Sequence, residues 1–347
     1  MATTEQVSIL VSAYNAETYL VEMLDSLHEQ TCRAFKLVIV DDHSEDATPE
    51  ILGKEDRFEN YNVVRNDENL GLTKSLNRGL QYCDTPWIMR MDADDICVPE
   101  RVERQLEFAS ENPDLVLFST PMTIIDPEGE TIGRHSVPLD DASIRFDSLF
   151  SNAFSHPSAC FRRDSLERAG GEYDTAFRTC QDYELWNRLM GTGKVANQEE
   201  ALVFYRRHPQ TVNVQRREEQ ARAIIEARLK YVNMLLDEWD AKNEFAQEAV
   251  EAFLLGKAGS GAAGNIEASE AWKFLKRAAK EFGIDLSSGL FRRRWWMLCR
   301  LQANWGQFRK MKWIAKSAPA RFVGEKINRS LGHVTVGPCV IGLPYTG

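Results

Sequence analysis

No stretch of about eighteen apolar residues runs unbroken along the 347-residue chain, so the sequence offers no candidate transmembrane helix. Nor is there a CxxC pair. The 7 cysteines are scattered and odd in number, which argues against a disulfide framework and a zinc site of the usual spacing. They read as reduced, mostly buried thiols. The opening MATTEQVSIL has no basic region ahead of a long apolar run, so no secretory signal is expected and the expected setting is cytoplasmic. Compositional extremes are missing too. A hydrophobic fraction of 43% and a charged fraction of 27% are those of a globular protein, not of a disordered one. No internal repeat is present.

The net charge of −10 conceals an asymmetry. Residues 271–330 hold 15 Lys+Arg against 3 Asp+Glu, a local net of +12 that leaves −22 on the remainder. Nucleic-acid binding ordinarily needs a basic domain. Here one segment alone is basic, and no nucleic-acid partner is expected.

Alternating apolar runs and amphipathic stretches over the first hundred residues predict a mostly parallel α/β sheet. Strands are expected at 7–11, 35–40, 62–65 and 87–91, with helices at 17–30, from 48, up to 80, and at 99–110. Tyr19, Leu20, Met23, Leu24 and Leu27 share one face of the first helix. Pro49 suits a first-turn position, where its missing N–H costs nothing. Further strands are expected at 115–119, 158–161 and 195–205, with a turn at the DPEG of 126–129 and a helix at 182–190. Beyond 214 the chain reads as all-helical, broken at the GSGAAG of 259–264 and at 287–289.

Two acidic clusters fall at strand ends: Asp41-Asp42 after the second strand, and Asp92-Ala93-Asp94-Asp95 after the fourth. In open parallel sheets, ligands sit beyond the carboxyl ends of the strands where strand order reverses. A carboxylate there is held rigidly and half exposed. Asp92 and Asp94 flank one residue, so both can face one ion. Oxygen ligands of this kind favour a hard cation, Mg2+ or Mn2+, suited to a departing diphosphate. Alone, an Asp-x-Asp pair usually means a solvated turn. The joint placement of two clusters in one α/β unit is what carries the site.

The runs VSILVSAYNAETYL, VIVDDHSEDAT, NDENLGLTKSLNRGL and WIMRMDADDICVPERVERQ closely resemble the family 2 glycosyltransferases, which have the GT-A fold. The similarity continues through SHPSACFRRDSLERAGGEYD, CQDYELWNRL and FYRRHPQTVN, so it covers roughly residues 7–213. Each motif alone is weak; in this order they are specific. Ser12 stands where a proline is frequent, and HSED replaces a GSTD-like turn. Neither departure touches a residue assigned to chemistry.

The resemblance implies a role for each matching position. Tyr14 and Asn15 line the nucleotide pocket, Asp42 accepts from the base (typically the N3–H of uracil), Asn69 and Gly71 shape the adjoining loop, and Arg90 enters the same region. Asp92 contacts ribose or metal, Asp94 is the principal metal ligand, and His208 reaches metal or diphosphate. Asp95 holds the loop. Asp182 matches the catalytic base, and His156 lines the site on its acceptor side. As a residue, Asp182 equally suits a helix cap, and the two roles are compatible.

The family is inverting, so the implied reaction is a single displacement from a nucleotide-diphosphate sugar, expected to be a UDP-sugar. Its acceptor is a hydroxyl on a saccharide or lipid-linked acceptor, in surface polysaccharide, lipopolysaccharide or glycolipid synthesis. Gln215-Arg216-Arg217 runs into Glu218-Glu219 where processive members carry Gln-x-x-Arg-Trp, which predicts addition of single sugars. The domain reading is a GT-A catalytic domain at 1–214, a helical extension at 215–330 and an unassigned tail at 331–347.

Residues 271–330 also hold Trp272, Trp295, Trp296, Trp305 and Trp313, with Arg292, Arg293, Arg300, Arg309 and Lys310 among them. Such a basic amphipathic stretch fits an anchor on an anionic membrane surface, placing the protein peripherally on the inner face of the cell membrane. It equally fits a helix packed on the catalytic domain or in a homo-oligomer. Two rival functions are open at this stage. A nucleotidyltransferase would carry a Gly-rich basic loop after the first strand, where this chain has SAYNAE. A catalytically inactive nucleotide-sugar-binding scaffold is at odds with the presence of Asp42, Asp94 and Asp182 together.

Overall fold

The computed structural model describes residues 6–208, 217–241 and 262–289, together with 291, 293 and 294. Chain contacts divide it into two units, Met1–Val232 and Asn233–Gly347. The first is built on a seven-stranded sheet of order β10-β6-β9-β4-β1-β2-β3. Its centre is β1 (Val7–Ala13), paired in parallel with β2 (Phe35–Asp41) on one side and β4 (Trp87–Asp92) on the other. β3 (Tyr61–Arg65) extends the sheet beyond β2. The near-continuous apolar runs of these strands follow from burial on both faces, as parallel sheets require.

The face packed by α1 (Leu20–His28) buries Leu20, Met23, Leu24 and Leu27 against Ile9, Val11, Leu37 and Met89. On the other face lies α3 (Leu72–Leu80). A Cβ at Gly79 would stand 2.4 Å from Leu10 Cδ1 and 2.9 Å from Val40 Cγ2, so only glycine permits this close approach of α3 to the sheet. Between α1 and α3 come β2, α2 (Thr48–Lys54) and β3. The strand order therefore reverses between β1 and β4, where an open parallel sheet leaves a crevice.

After β4 the fold turns mixed. The chain runs through β5 (Ile96–Cys97), α4 (Arg101–Glu111), β6 (Leu115–Ser119), β7 (Met122–Ile125) and β8 (Thr131–His135). The DPEG turn joins β7 to β8, with Gly129 at φ 92°. α5 (Asp141–Asp147) leads to a 3-10 turn at His156–Ser158 and to β9 (Cys160–Arg162), antiparallel between β4 and β6. Next come α6 (Arg163–Arg168) and α7 (Gln181–Met190). The single strand expected at 195–205 is two strands in two sheets: β10 (Lys194–Asn197) closes the large sheet, and β11 (Val203–Arg206) joins a second sheet of order β5-β11-β7-β8. The break falls at Gln198-Glu199-Glu200, and Asn197 anchors it by bridging Ser119, Pro138 and Ala153.

The first helix starts later than its pattern suggests. Backbone N–H groups of Ala16 and Glu17 are taken by Thr48 Oγ1 and Asp46 Oδ2, and Ala47 N–H by Glu17 Oε2. These bonds hold 15–17 out of the helix. The helix Arg217–Glu238 packs through its first part on the sheet unit, so that unit runs past residue 214 to Val232. In the second unit the helix Ala262–Glu281 takes in the last residues of the expected linker. There Trp272 meets Phe291 edge-on at 5.4 Å, and Trp239 packs on Phe274 and Phe282. Trp295, Trp296, Trp305 and Trp313 lie outside the described residues, as does most of the basic segment. No helix among the described residues is long and apolar enough to cross a membrane. The described cysteines are free thiols, with Cys83, Cys97 and Cys160 buried.

Candidate active site

The register of the parallel strands sets the site. Ala13 lies opposite Asp41 and Ser12 opposite Asp92, so both acidic clusters leave the sheet beside the end of β1. Tyr14 is 50% exposed there, and Asn15 turns the chain with φ 48°, a left-handed conformation that Asn tolerates. Asn15 Oδ1 accepts from Glu45 N–H, tying the loop after β1 to the loop after β2.

Asp42 is buried and spans a loop. Its Oδ1 accepts from Leu70 N–H at 2.8 Å and Asn66 Nδ2 at 2.7 Å, and its Oδ2 from Gly71 N–H at 2.8 Å. Gly71, at φ 83°, lets the backbone face this carboxylate before α3 begins, while Asn69 stands exposed at the tip. Asp42 thus shapes the same loop as Asn69 and Gly71. Arg65 reinforces it by pairing with Asp41 and donating to Ser44 O.

At the other cluster, oxygens of Asp92, Asp94 and Asp95 all lie within 4.8 Å of one another. Burial raises the Asp92 carboxyl above the usual range, with Arg90 opposing and Asp94 adding to the rise. Asp95 is fully buried and raised further, by burial and then by Asp94 and Asp92. Crowding three carboxylates is costly without a cation. His208 adds an imidazole, its Nε2 2.8 Å from Asp94 Oδ2. Oxygens plus one imidazole suit Mg2+ or Mn2+, so the residues present fit a divalent ion.

Arg90 lies behind the acidic turn. It is 0% exposed, donates to Leu10 O and Met91 O, and reaches the site through Asp92 Oδ1 at 2.5 Å. Asp95 Oδ1 accepts from Arg206 N–H, pinning the acidic turn to β11. Sequence reasoning missed Arg206. Its buried guanidinium donates to Asp94 O, Asp126 O, Pro127 O and Glu22 Oε2, and lies 4.5 Å from the Tyr19 ring centroid. Tyr19 in turn packs 5.3 Å from His208. The adjacent RRH triplet was the only signal that could have pointed to it.

Asp182 sits in the first turn of α7, after Cys180 at φ 58°. Burial pushes its carboxyl up to about 6; the Asp92 charge adds to this, while the amides of Tyr183 and Asp182 and the side chain of Asn152 oppose it. The effect of Asp92 puts Asp182 in the same electrostatic neighbourhood as the acidic turn, yet outside its ligand cluster. Asn152 Nδ2 donates to Asp182 Oδ2 at 2.7 Å, a partner the sequence did not reveal. His156 stacks edge-on against Trp186 and Tyr173, 5.9 Å from each, and its Nε2 is 3.3 Å from Tyr173 Oη. Burial, aided by Arg90, holds it well below the ordinary histidine value, so it is neutral. A carboxyl near 6 can take a proton from a hydroxyl, while a divalent ion held by the separate carboxylate cluster would neutralise an anionic group.

The model of the family described as Glycosyl transferase family 2 matches residues 8–170. The amylovoran biosynthesis glycosyltransferase AmsE of Erwinia amylovora is 35% identical over 216 residues, 60% of this chain and 79% of that protein. Among solved structures, S. aureus TarS 1–349 in complex with UDP-GlcNAc superposes with a TM-score of 0.56 at 18% identity, covering 80% of each chain. The mannosyltransferase PcManGT of Pyrobaculum calidifontis, in complex with GDP-Man and Mn2+, gives 0.50 at 17% identity, covering 86% of each. The structural likenesses establish the GT-A fold, and the sequence matches lead to one conclusion: the chain belongs to glycosyl transferase family 2 and is a glycosyltransferase.

Proposed function

We propose that the protein is an inverting, metal-dependent glycosyltransferase that moves one sugar from a nucleotide-diphosphate donor, a UDP-sugar first among candidates, to an acceptor hydroxyl. The observation that carries this reading is that Asp182 feels the charge of Asp92 yet stands outside the acidic cluster. Asp92, Asp94 and Asp95 form a cluster that fits a divalent ion, and Asp182 stands outside it with its carboxyl near 6. Asp94, Asp92 and His208 would hold Mn2+ or Mg2+, which when bound supplies charge neutralisation for the leaving diphosphate.

Tyr14 and Asn15 would line the nucleotide pocket, and Asp42 would keep the Asn69–Gly71 loop in place for it. Asp182 accepts the acceptor's proton at a carboxylate oxygen. Attack from the side opposite the leaving group gives inversion. Neutral His156 packs behind this side of the site without adding charge. Arg90 acts through Asp92.

The catalytic unit in this reading takes in the first part of the helix Arg217–Glu238. Amylovoran biosynthesis by the Erwinia relative supports polysaccharide synthesis as the setting. The acceptor class is then a saccharide, free or lipid-linked, presented at the inner membrane face. Donors bound by the structural relatives set the screen: UDP-GlcNAc, other UDP-sugars and GDP-mannose, each with Mn2+ and with EDTA. Mn2+-dependent thermal stabilisation and nucleotide release by at least one donor is the expected result. Nucleotide release untouched by EDTA would overturn the metal-dependent reading.

A further inference from the structure

We infer that Asn152 is a positioning residue for the base, holding one oxygen of Asp182 so that the other faces the acceptor. This rests on the reading of Asp182 as base. Asn152 Nδ2 donates to Asp182 Oδ2 at 2.7 Å, while Asn152 Oδ1 accepts from Phe154 N–H at 3.2 Å. The second bond fixes which end of the amide meets the carboxylate, so Asn152 serves Asp182 only as a donor.

The segment that carries Asn152 is fastened on both sides. Before it, Phe150 O accepts from Arg228 on the helix Arg217–Glu238. After it, Ala153 O accepts from Asn197 Nδ2, and Ser155 N–H donates to Ser119 Oγ. The Phe154 ring packs against Trp186, one turn beyond Asp182 on α7. The helix after the sheet grips the base's side too: Cys180 Sγ meets Gln220 O, Asn187 Nδ2 meets Ala227 O, and Phe177, Tyr183 and Ala227 form one buried cluster. Donor and base are thus mounted on a single braced frame.

The bond acts on the charged form. A hydrogen bond to a carboxylate favours its ionised state. Burial and the Asp92 charge oppose that state; the nearby Tyr173 phenol and Cys180 thiol are raised mainly by burial, with Asp182 adding to the rise. Arg90 faces Tyr173 and His156 from β4 and adds positive charge behind the cluster. Among these groups, Asn152 is the side chain that holds an Asp182 oxygen directly.

The test is a titration of Asp182 by carboxyl 13C NMR on the full chain, with the resonance assigned by its loss in Asp182→Asn. Asn152→Ala should move the Asp182 midpoint upward by about one pH unit. The isosteric Asn152→Asp should move it further, because two adjacent carboxyls resist a second charge. UDP affinity with Mn2+, read by thermal shift, should stay within about twofold of wild type. An unmoved midpoint in either folded variant overturns the proposal, and the isosteric variant serves if the alanine variant does not fold. Nucleotide release from UDP-GlcNAc or GDP-mannose separates the two readings. Wild-type release by Asp182→Asn removes the base itself, whereas a dead Asp182→Asn with an unmoved midpoint in the Asn152 variants removes only Asn152.

Discussion

Asp182→Asn should make the protein more stable at neutral and alkaline pH while abolishing transfer. The fold holds this carboxyl at about 6 against an ordinary 3.8. An acid with a raised folded value binds its proton more tightly in the fold than in the unfolded chain. Stability is therefore lost as pH climbs between about 4 and about 6, and the full penalty persists above that window. At about 1.4 kcal/mol per pH unit the penalty is roughly 3 kcal/mol. Asp182 is half-buried, which reduces the expected value to about 2 kcal/mol. Asparagine keeps the shape and one acceptor oxygen while removing the charge. For a unit of this size that corresponds to a Tm higher by about 4–8 °C at alkaline pH. Differential scanning calorimetry of both proteins across the acid-to-alkaline range reads it directly. The gap should open between about pH 4 and pH 6 and then stay constant. A gap independent of pH, or a wild type more stable than the variant at alkaline pH, would refute the reasoning.

Arg206→Ala should lower stability by about 1–3 kcal/mol, because the carbonyls of Asp94 and Pro127 lose their donor while the half-exposed Glu22 returns to solvent; chemical denaturation measures it. Mn2+ affinity should weaken with it, since the Asp94 backbone is released. Gly79→Ala should cost about 1–3 kcal/mol by forcing α3 off Leu10 and Val40, and an unchanged Tm would contradict that packing. Asp42→Ala leaves Leu70 N–H and Gly71 N–H without their acceptor and takes one of the two acceptors of the Asn66 amide, which keeps Ser75 Oγ. It should cost about 1–3 kcal/mol and weaken nucleotide binding, measured by calorimetric titration with UDP and Mn2+.

The placement of the candidate site was legible in part because a parallel strand announces itself as an apolar run and its end as the first acid. Asp41-Asp42 and Asp92–Asp95 needed only that rule. The families of motifs then gave Asp182 and His208 their places, and the structure puts His208 against Asp94. The burial of Arg90 was not legible: the resemblance gave only its region, and it is the pairing of β4 with β1 that buries its head against Leu10 O. The second sheet was hidden because its strands are short, and one of them, β11, continues an apolar pattern begun in β10. Arg206 and Asn152 were missed for a common reason. Their partners are distant in sequence, Asp95 lying 111 positions from Arg206 and Asp182 lying 30 from Asn152, and no local pattern encodes such a bond. The late start of α1 has the same origin, since loop 44–48 captures its first amides.

The central claim is that the ion-holding carboxylates and the base are separate groups within one electrostatic neighbourhood. Mn2+ binding in the presence of UDP, followed by electron paramagnetic resonance in wild type, Asp94→Ala and Asp182→Asn, tests it most directly. Asp94→Ala should weaken binding at least about tenfold, and Asp182→Asn should bind as wild type does. Undiminished binding by Asp94→Ala, or an equal loss in both variants, would contradict it.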